Sequence, residues 1–479
     1  LCSVSSPRSC SGFFDVGSPK SAARLPPIPF VVCIAGVDTN VSILHRRVII
    51  MLKYPLPGAV KTRLVSALGE HRACELYRAL VAHTISEATK YSVDGEGPSA
   101  IEVRLAGAPD ESAAGAWLGS AVSIREQGDG NLGQRMERAI VSAFGEGASA
   151  VVVIGGDCPQ LTATHLVRAF AALAQADTVL GPASDGGYYL IGLRRPLPAL
   201  FHGISWGGPE VFAQTLAAAR ALQVEPALLP TLRDVDVPDD LVVWAATPAA
   251  RAGGRSGVSV IVPARNEETS LGPALVAAAA GAPHEIIVVD GGSTDRTAEV
   301  ARAHDAILVS APAGRARQMN HGAAVATGEF LLFLHADTVL PPNYLTALRA
   351  TLAQPGVVGG AFRFSISGEF SGRRLIECGT NFRARHRQLP YGDQGLFVSR
   401  TVFERVCGFP DQPLMEDYAF VRRLQRLGTI AIAPAVAVTA GRRWQRRGAI
   451  RTTLLNQLII CGYRLGVSPV RLARWYRGE

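Results

Sequence analysis

The stretch Phe330-Leu-Leu-Phe-Leu-His-Ala-Asp-Thr338 decides the fold of the second half of this chain. Its five consecutive apolar residues lie between Gly328 and Pro341 and are too few for a helix, so they predict a strand that is buried on both faces. A parallel sheet opens its ligand crevice at the carboxyl ends of its strands. Asp337 is therefore expected at such a crevice, where a carboxylate can hold a divalent cation against a diphosphate. An Asp that opens a turn before Pro341 explains this stretch equally well, so the neighbouring motifs must decide.

Size and composition indicate a globular protein with two or three domains. The chain has 479 residues, of which 48% are hydrophobic and 18% are charged. No apolar run approaches the roughly 18 residues of a membrane-spanning helix. The eight cysteines are scattered without a C-x-x-C pair, which argues against a disulfide framework and a zinc site and favours a reducing compartment. We therefore expect a cytoplasmic protein.

The formal net charge of +8 is unevenly distributed, because nine Arg follow from Arg442 onward and Glu479 is the only acid there. Such a segment can meet anionic lipid, phosphorylated substrate or nucleic acid, or it can be a solvated basic face. No zinc-finger spacing or aromatic-basic RNA motif accompanies it, so no nucleic-acid partner is predicted. Peripheral membrane contact through this basic C-terminus remains an open alternative.

Residues 1–46 are rich in Ser and Pro and poor in acids, a composition that resembles an organelle transit peptide. A disordered extension explains it as well. If this segment is a targeting sequence, the expected location changes from the cytoplasm to a plastid or another organelle.

A candidate phosphate loop opens the first domain, which is assigned to residues 47–246. The strand Val48–Leu52 is followed by a loop that contains Gly58 and ends in Lys61 and Arg63 at a helix start. Backbone N–H groups and the helix dipole of such a loop attract a phosphate. Because Pro-Gly loops are common, the motif alone is weak evidence.

Two carboxylates of this domain predict a metal site. The apolar strand Val151–Ile154 leads to Asp157, and Asp236 lies on an extended segment whose carboxylates alternate, so that both can reach one cation. A loop rich in Gly and Tyr can approach a planar ligand closely, although an ordinary turn explains it too; it comprises Asp185, Gly186, Gly187 and Tyr188.

These pieces resemble the proteins called rSAM/selenodomain-associated transferase 1, which are GT-A-fold relatives of cytidylyl- and guanylyltransferases. The matching motifs are Pro57-Gly-Ala-Val-Lys-Thr-Arg-Leu64, Gly156-Asp-Cys-Pro159, Gly181-Pro-Ala-Ser-Asp-Gly-Gly-Tyr-Tyr189 and Arg233-Asp-Val-Asp236. The resemblance implies a nucleotide-phosphate site at Lys61 and Arg63, metal at Asp157 and Asp236, and substrate contacts in the Asp185 loop. Met51-Leu-Lys53 departs from the Phe-Ala-Arg that is usual in the family.

A run of small residues, 247–256, predicts a flexible linker, and a second domain follows over residues 257–479. The pattern of strand, helix and strand at its start predicts a βαβ unit whose two strands end in polar loops. These loops supply candidate nucleotide contacts: Pro263, Arg265, Asn266 and Glu267 from the first, and Asp290, Gly291, Ser293 and Asp295 from the second. Capping of the helix that begins at Thr297 is a competing role for the second loop.

Further candidates line the rest of this domain. Arg315 and Arg317 are expected to bind the diphosphate, and the Asp393-Gln394 loop is expected beside the acceptor. Glu416 and Asp417 open a helix, where acids can simply complement the dipole. Downstream of a nucleotide loop and a strand-end Asp, a catalytic base is the better interpretation of this pair.

This half resembles family 2 glycosyltransferases, and most closely the group called rSAM/selenodomain-associated transferase 2, which is linked to arsenosugar biosynthesis. The matching motifs are Val262-Pro-Ala-Arg-Asn-Glu-Glu268, Val289-Asp-Gly-Gly-Ser-Thr-Asp295, His335-Ala-Asp337, Gly392-Asp-Gln394, Glu416-Asp417 and Arg442-Arg-Trp444. The resemblance implies an inverting transfer from a nucleotide sugar, Mg²⁺ or Mn²⁺ at Asp337, Asp417 with Glu416 as the catalytic pair, and substrate contacts that include Arg443 and Trp444. His-Ala-Asp departs from the usual Asp-x-Asp, which leaves Asp337 alone as the ligand of that motif.

We therefore expect an α/β protein with two tandem GT-A domains, each a mostly parallel sheet flanked by helices, and a bifunctional transferase. Its partners would be a nucleotide sugar and a small-molecule or lipid acceptor. Two alternatives stay open: a membrane-surface transferase that makes polyprenyl-phosphate sugars, and a chain in which one half is a non-catalytic nucleotide-binding scaffold. The apolar segment Leu454–Tyr463 either lies at a membrane interface or packs against the core, and packing is the favoured interpretation.

Overall fold

The structure is a computed structural model that describes residues 45–94, 99–120, 122–254 and 256–477. The extension that the sequence predicts over residues 1–46 lies outside these ranges except for its last two residues, so its targeting role stays a prediction. The described chain contains two sheets, one in each half, and both are flanked by helices. The predicted fold class is confirmed.

The sheet of the first half has seven strands, and its centre is made of fully buried Val and Ile side chains such as Val48 and Ile50. The strands are β1 (Arg46–Lys53), β2 (Ser99–Ala106), β3 (Ser123–Glu126), β4 (Ala150–Gly155), β5 (Thr178–Pro182), β6 (Tyr188–Leu193) and β7 (Ala227–Leu228). Their order across the sheet is β3-β2-β1-β4-β6-β5-β7. Only β6 runs antiparallel to its neighbours.

The sheet of the second half has eight strands. They are β8 (Val258–Ala264), β9 (Glu285–Asp290), β10 (Ile307–Ser310), β11 (Phe330–Phe333), β12 (Thr338–Val339), β13 (Val357–Ser367), β14 (Leu396–Ser399) and β15 (Thr429–Ala440). Their order is β10-β9-β8-β11-β14-β13-β15-β12, and β14 and β12 are the antiparallel strands. The buried strand that the Phe330 stretch predicts is β11, at the centre of the sheet.

The two sheets repeat one topology. Without β12, the second sheet has the strand order and the strand directions of the first, so that β8 corresponds to β1, β11 to β4, and β14 to β6. The residues that follow β1 and β4 in the first half therefore occupy the same place as those that follow β8 and β11 in the second. This correspondence makes the two candidate sites directly comparable.

Helices cover the faces of both sheets. In the first half they are α1 (Val65–Leu68), α2 (Glu70–Asp94), α3 (Glu111–Leu118), α4 (Leu132–Gly145), α5 (Ala163–Leu173), α6 (Val211–Ala221), α7 (Leu241–Ala245) and α8 (Pro248–Gly253). In the second half they are α9 (Leu271–Ala280), α10 (Thr297–Ala303), α11 (Arg315–Val325), α12 (Tyr344–Leu352), α13 (Arg373–His386), α14 (Arg400–Arg405), α15 (Glu416–Leu424), α16 (Arg442–Arg447), α17 (Ala449–Arg464) and α18 (Pro469–Arg477). Among the described helices, none combines the length and apolarity that crossing a bilayer requires.

The segment predicted as a flexible linker contains a helix, α8. Pro248 begins this helix, and the Thr247 hydroxyl accepts a hydrogen bond from the N–H of Ala250 at 3.2 Å. A capping Thr followed by Pro is a favourable helix start, and this local signal outweighs the small residues that follow. The side chain of Arg251 then reaches Glu404 of the second half at 3.1 Å.

The two halves share a hydrophobic core. Leu241 and Trp244 of α7 belong to the same buried cluster as Met319 and Ala323 of α11. Polar contacts complete the junction: Arg72 donates to the carbonyl of Asp305 at 2.7 Å, and Arg302 donates to the carbonyl of Ser66 at 3.0 Å. Residues 43–479 accordingly form one compact unit.

Candidate active sites

In each half, the candidate residues follow the carboxyl ends of the central strands, and a buried Gln bridges the ends of two of these strands. Gln127 donates to the carbonyls of Leu52 on β1 and Arg104 on β2, at 2.8 and 2.9 Å. In the second half, Gln318 donates to the carbonyls of Ala264 on β8 and Val289 on β9, both at 2.8 Å. Sequence reasoning missed both residues, because nothing in their neighbourhood distinguishes a bridging Gln from a surface one.

In the first half, Lys61 lies between the two carboxylates that were predicted to bind metal. Its Nζ is 3.0 Å from Asp157 Oδ2 and 2.7 Å from Asp236 Oδ1, and only 5% of the side chain is exposed. Its φ of 48° is in the left-handed region, which residues with a side chain seldom adopt and which often marks a functional position. The backbone at Lys61 is therefore strained in the conformation that places its ammonium between the two carboxylates.

This arrangement differs from the predicted roles of all three residues. Burial alone would lower the pKa of Lys61, but Asp157 and Asp236 outweigh it and hold that pKa well above its ordinary value. The ammonium group is thus permanently charged and occupies the place between the two carboxylates. Lys61 therefore lies where a cation shared by Asp157 and Asp236 would bind, and the metal and phosphate roles assigned to these three residues stay predictions. Arg63 remains exposed, with its guanidinium 3.7 Å from Asp236.

A second group of carboxylates lies beside this pair. Oxygen atoms of Asp185, Asp234 and Asp236 lie within 4.8 Å of one another. Burial raises the pKa of Asp234 to about 6, and the charges of Asp185, Asp157 and Asp236 add to the effect. Asp234 was not selected from the sequence, although its place two residues before Asp236 puts both on one face of the segment.

The loop predicted to approach a planar ligand is rigid at Gly186. This residue has a φ of 91°, and a Cβ there would collide with the backbone carbonyl of Pro209. Asp185 accepts a hydrogen bond from the N–H of Gly187 at 2.9 Å. The ring of Tyr188 packs edge-on against Trp206, with ring centres 6.4 Å apart. The loop is thus fixed beside the carboxylate group.

In the second half, the two predicted nucleotide loops bind each other. The Ser293 hydroxyl accepts from the N–H of Asn266, and Asn266 in turn accepts from the N–H of Thr294. Asp290 accepts from Ser293, and a Cβ on Gly291 would collide with Gln318. Asp295 accepts from the N–H of Glu268 and from the N–H of Thr297 at the start of α10, so it ties the two loops to this helix, and their nucleotide contacts stay a prediction. Pro263 lies within β8 and Arg265 is exposed.

Asp337 lies shortly after β11, where its counterpart in the first half is Asp157. Arg442 approaches it at 3.6 Å and also contacts Glu267 at 3.2 Å, but 46% of the Arg442 side chain is exposed. Burial raises the pKa of Asp337, the charge of Glu267 adds to this, and Arg442 counters it. Arg442 is therefore a displaceable counter-ion, unlike the buried Lys61. The sequence motif contained Arg442, but no role could be read from it.

The predicted catalytic pair divides into a buried and an accessible acid. Glu416 is buried and 3.4 Å from Arg315, and burial followed by the charge of Asp417 raises its pKa. The carboxylate of Asp417 is held by the N–H of Gly392 at 2.8 Å and by its own helix at the N–H of Tyr418 at 2.7 Å. Glu416 thus pairs with Arg315, and Asp417 is the more accessible acid of the two.

The Gly392 turn brings the end of β11 next to α15. A Cβ on Gly392 would lie 2.8 Å from His335 Nε2 and 3.4 Å from Asp417 Oδ2, so these two side chains meet at one point of the loop. Asp393 is adjacent, and its pKa is raised to about 6: burial is the main cause, Asp417 and Asp337 contribute to the rise, and Arg383 and Arg315 oppose it. The charges of Asp337 and Asp417 therefore both affect the carboxyl group of Asp393.

Two carboxylates of the second half, Asp337 and the buried Asp393, are candidates to hold a divalent cation. The buried Oδ1 of Asp393 has no hydrogen-bond partner among the described residues, and its raised pKa shows that a positive charge would stabilise it. No three His, Cys, Asp or Glu ligand atoms of the described residues cluster around Asp337. A cation held by Asp337, with Asp393 close by, would thus take its other ligands from a diphosphate and water, as Mg²⁺ commonly does.

The remaining predicted contacts have mixed placements. Gln394 is fully buried and donates to the carbonyl of Phe362 at 3.1 Å, so it shapes the loop and does not face the cleft. Trp444 packs against Phe364 of β13, and its buried Nε1 has no hydrogen-bond partner among the described residues. Arg443 lies in α16, and its side chain is outside the described part of the chain.

Two family models match the chain, one in each half. Residues 91–208 match the family described as "Uncharacterized protein conserved in bacteria (DUF2064)", and residues 259–406 match "Glycosyl transferase family 2". A curated relative is the undecaprenyl-phosphate 4-deoxy-4-formamido-L-arabinose transferase of Pectobacterium carotovorum subsp. carotovorum (strain PC1), which is 36% identical over 120 residues. The match covers 22% of this chain and 36% of the relative, so the chain spans little more than a third of that relative's length.

Similar solved structures each cover about two fifths of the chain. A "putative nucleotide-diphospho-sugar transferase" from Desulfovibrio desulfuricans G20 is 34% identical, over 42% of this chain and 86% of that one, with a TM-score of 0.39. The mannosyltransferase of Pyrobaculum calidifontis in complex with GDP-Man and Mn²⁺ is 20% identical, over 42% and 68%, with a TM-score of 0.32. The glucosyl-3-phosphoglycerate synthase of Mycobacterium tuberculosis in complex with Mn²⁺ and UDP is 23% identical, over 40% and 72%, with a TM-score of 0.30.

Replacing Lys61 tests whether its ammonium closes the first metal position. In Lys61→Met, two partly exposed carboxylates face each other, and we expect the free energy of unfolding to fall by about 2 kcal/mol. Mn²⁺ should then raise the Tm of this variant by several degrees, because a cation that binds only the folded state stabilises it. The chain with Lys61 and the Lys61→Met variant both carry Asp337→Asn, which removes the candidate metal site of the second half. Lys90→Met, on an exposed Lys, is the matched control. Equal Mn²⁺ shifts with and without Lys61 would contradict this account.

Asp393→Asn tests the buried carboxyl group. The unfolded chain ionises this group near pH 3.8, and burial raises its pKa to about 6 in the folded chain, so stability falls as the pH rises through this window. Without metal, Asp393→Asn should therefore raise the free energy of unfolding at neutral pH by about 1–3 kcal/mol. The gain should vanish below pH 4 or so, where both states are protonated. Urea unfolding in EDTA measures it, and a gain of equal size in the exposed Asp411→Asn would refute the assignment.

Proposed function

Because this chain carries a DUF2064 domain followed by a glycosyl transferase family 2 domain, we propose that it is a bifunctional transferase. The second half transfers a sugar from a nucleotide-sugar donor to an acceptor hydroxyl, with inversion at the anomeric carbon. The first half performs a nucleotidyl or glycosyl transfer on a related substrate. The observation that supports the proposal is that the charges of Asp337 and Asp417 both act on the buried carboxyl group of Asp393, next to the Gly392 N–H that holds Asp417.

The donor lies with its nucleoside against the two interlocked loops and its diphosphate towards Asp337. The loop residues proposed to contact it are Pro263, Arg265, Asn266, Glu267, Asp290, Gly291, Ser293 and Asp295. Because the loops are already hydrogen-bonded to each other, donor binding orders little additional backbone. A divalent cation bound at Asp337 supplies positive charge that stabilises the diphosphate as it leaves. Arg442 contacts Asp337 and is half exposed, so it can turn to the same diphosphate.

Asp417 is the general base of the transfer. The acceptor hydroxyl gives its proton to the carboxylate of Asp417 while its oxygen forms a bond to C1 of the sugar. The bond from C1 to the diphosphate oxygen breaks on the opposite face, and the nucleoside diphosphate departs. The N–H groups of Gly392 and Tyr418 hold the carboxylate in place, so its orientation costs no entropy when the acceptor arrives.

The acceptor contacts the Gly392 loop and the residues around Trp444. Its class, a small molecule or a lipid, and the link to arsenosugar biosynthesis that the family resemblance suggests, stay predictions. We also propose that the protein is located in the cytoplasm. Arg383, whose guanidinium lies 3.6 Å from the ring centre of Tyr391, closes this side of the cleft.

For the first half, one observation favours a second candidate function. Lys61 fills the space between Asp157 and Asp236, so this half can bind a nucleotide or sugar phosphate through Arg63 and the Asp185 loop without catalysing a transfer. A non-catalytic, nucleotide-binding module is therefore the alternative to a transferase that acts before or after the second half.

The variant Asp417→Asn tests the base. It should lower turnover of nucleotide sugars by at least about 10²–10³-fold, because a neutral amide cannot accept the proton, and it should leave donor affinity unchanged. Calorimetric titration with UDP- and GDP-sugars in Mn²⁺ measures binding, and product formation measures turnover. Glu369→Gln, on an acid of the same half that is 92% exposed, is the matched control. An Asp417→Asn enzyme with undiminished turnover would remove the assignment.

The full chain with Asp417→Asn also isolates the activity of the first half. We expect it to release diphosphate from a nucleoside triphosphate and a sugar phosphate, and we expect Asp236→Asn to abolish that release. The full chain is needed because α7 shares its core with α11. Saturable nucleotide binding without any release, unchanged by Asp236→Asn, would instead select the non-catalytic module.

A further inference from the structure

Two helices of the second half expose apolar stripes at helical spacing. On α13 the stripe contains Leu375 and Phe382, which are 78% and 61% exposed. On α17 and its last turn it contains Leu454, Leu458 and Leu465, which are 64%, 59% and 79% exposed. These are the five most exposed large apolar side chains in the described part of the chain. We call these five residues the α13–α17 surface.

The opposite faces of both helices are anchored in the protein. Ile459 and Ile460 of α17 belong to the buried core of the second half. On α13, Asn381 and Glu377 hydrogen-bond the backbone of β13, at 2.8 Å each. The predicted packing of the Leu454–Tyr463 segment is thus correct for one face only. Because the opposite face of each helix packs against the protein, the exposure of the apolar stripes is not caused by helices that have separated from the core.

The α13–α17 surface adjoins the proposed active site. At their starts the helices touch, since a Cβ on Gly372 would lie 3.6 Å from the Cβ of Ala449. At their ends, Arg383 of α13 stacks on Tyr391, and Arg464, the last residue of α17, donates to the hydroxyl of Tyr418 at 3.0 Å. The rings of Tyr391 and Tyr418 are 6.5 Å apart and flank Asp417. The two helices are about 21 and 24 Å long, and their ends contact the two tyrosines next to Asp417.

The two segments that contain these helices carry a net positive charge that exceeds that of the whole chain. Residues 373–387 and 442–477 contain fourteen Arg and one acid, Glu377, whereas the formal net charge of the whole chain is only +8. The rest of the chain is therefore net negative. Arg374, Arg385 and Arg451 are exposed on the helices themselves, and Arg471 and Arg474 are exposed on α18 beside Trp475.

We propose that the α13–α17 surface docks onto an anionic lipid bilayer and holds the acceptor side of the active site at the membrane. Exposed leucines with flanking arginines match an acyl–headgroup boundary that carries negative charge. A second copy of this chain would place like charges against each other, and leucines gain nothing from a phosphate backbone of nucleic acid. The inference rests on the proposed function, because it names the surface on which that site meets its acceptor.

Sedimentation with vesicles tests the proposal on the full chain. The probes are vesicles of phosphatidylcholine and vesicles of phosphatidylcholine with phosphatidylglycerol. The protein should bind the second kind, and each of the double variants Leu375→Ser/Phe382→Ser and Leu454→Ser/Leu458→Ser should weaken that binding by about tenfold or more. Added salt should weaken it as well, since part of the attraction is electrostatic.

Matched controls separate docking from folding and from catalysis. Val276→Ser removes an apolar side chain that is 58% exposed on α9, outside the α13–α17 surface, and should leave vesicle binding unchanged. Circular dichroism confirms that the double variants fold. Asp417→Asn should bind vesicles like the parent chain, so a failure of the base assignment leaves this test intact.

Three results would overturn the proposal. One is equal sedimentation with both kinds of vesicle or with neither. Another is binding that both double variants retain. The third is a solution dimer, or binding to duplex nucleic acid, that the double variants abolish while vesicle binding persists, because the exposed residues would then serve that partner.

Discussion

Both halves of this protein depend on how one strand-end carboxylate is balanced by positive charge. Asp157 and Asp337 follow equivalent strands of two sheets with the same topology. A carboxylate at such a position is partly removed from water, and a cation must compensate for the lost hydration. In both halves the chain supplies one of its own: Lys61 for Asp157 and Arg442 for Asp337. The two cations differ in how firmly they are held, and that difference separates the expected chemistry of the two clefts.

Lys61 is a permanent part of its cleft, whereas Arg442 is a replaceable one. The ammonium of Lys61 is buried and hydrogen-bonded to two carboxylates, so displacing it would leave two like charges facing each other. Arg442 is half exposed and lies at a longer distance from its partner. A metal–diphosphate ligand can therefore take over the role of Arg442 but not that of Lys61. The same fold thus provides one strand-end carboxylate with a buried partner cation and one whose partner cation a substrate complex can replace.

The sequence predicted those features of the molecule that local patterns determine. The strand at Phe330, the βαβ unit at Val258 and the Asp residues at the strand ends follow from apolar runs that are bounded by turn residues. The side-chain contacts between segments that are distant in the sequence could not be predicted. Nothing local shows that Lys61 reaches Asp236 across 175 positions, or that Gln318 bridges two strands. The helix α8 was missed for another reason, because the composition of residues 247–256 outweighed a cap that Thr247 and Pro248 do encode.

The packing between the two halves limits which parts of the chain can be lost without destabilising the rest. Because α7 of the first half and α11 of the second belong to one buried cluster, removing either half would expose apolar surface that the remaining half cannot cover. The helix α11 also carries Gln318 and begins at Arg315, so it connects this shared core directly to the proposed sugar-transfer cleft. The first half therefore supports the geometry of the second cleft whatever reaction it performs itself. A cleft that is neutralised by its own Lys61 can be retained on these structural grounds alone, since its loss would loosen the helix on which the neighbouring site is built.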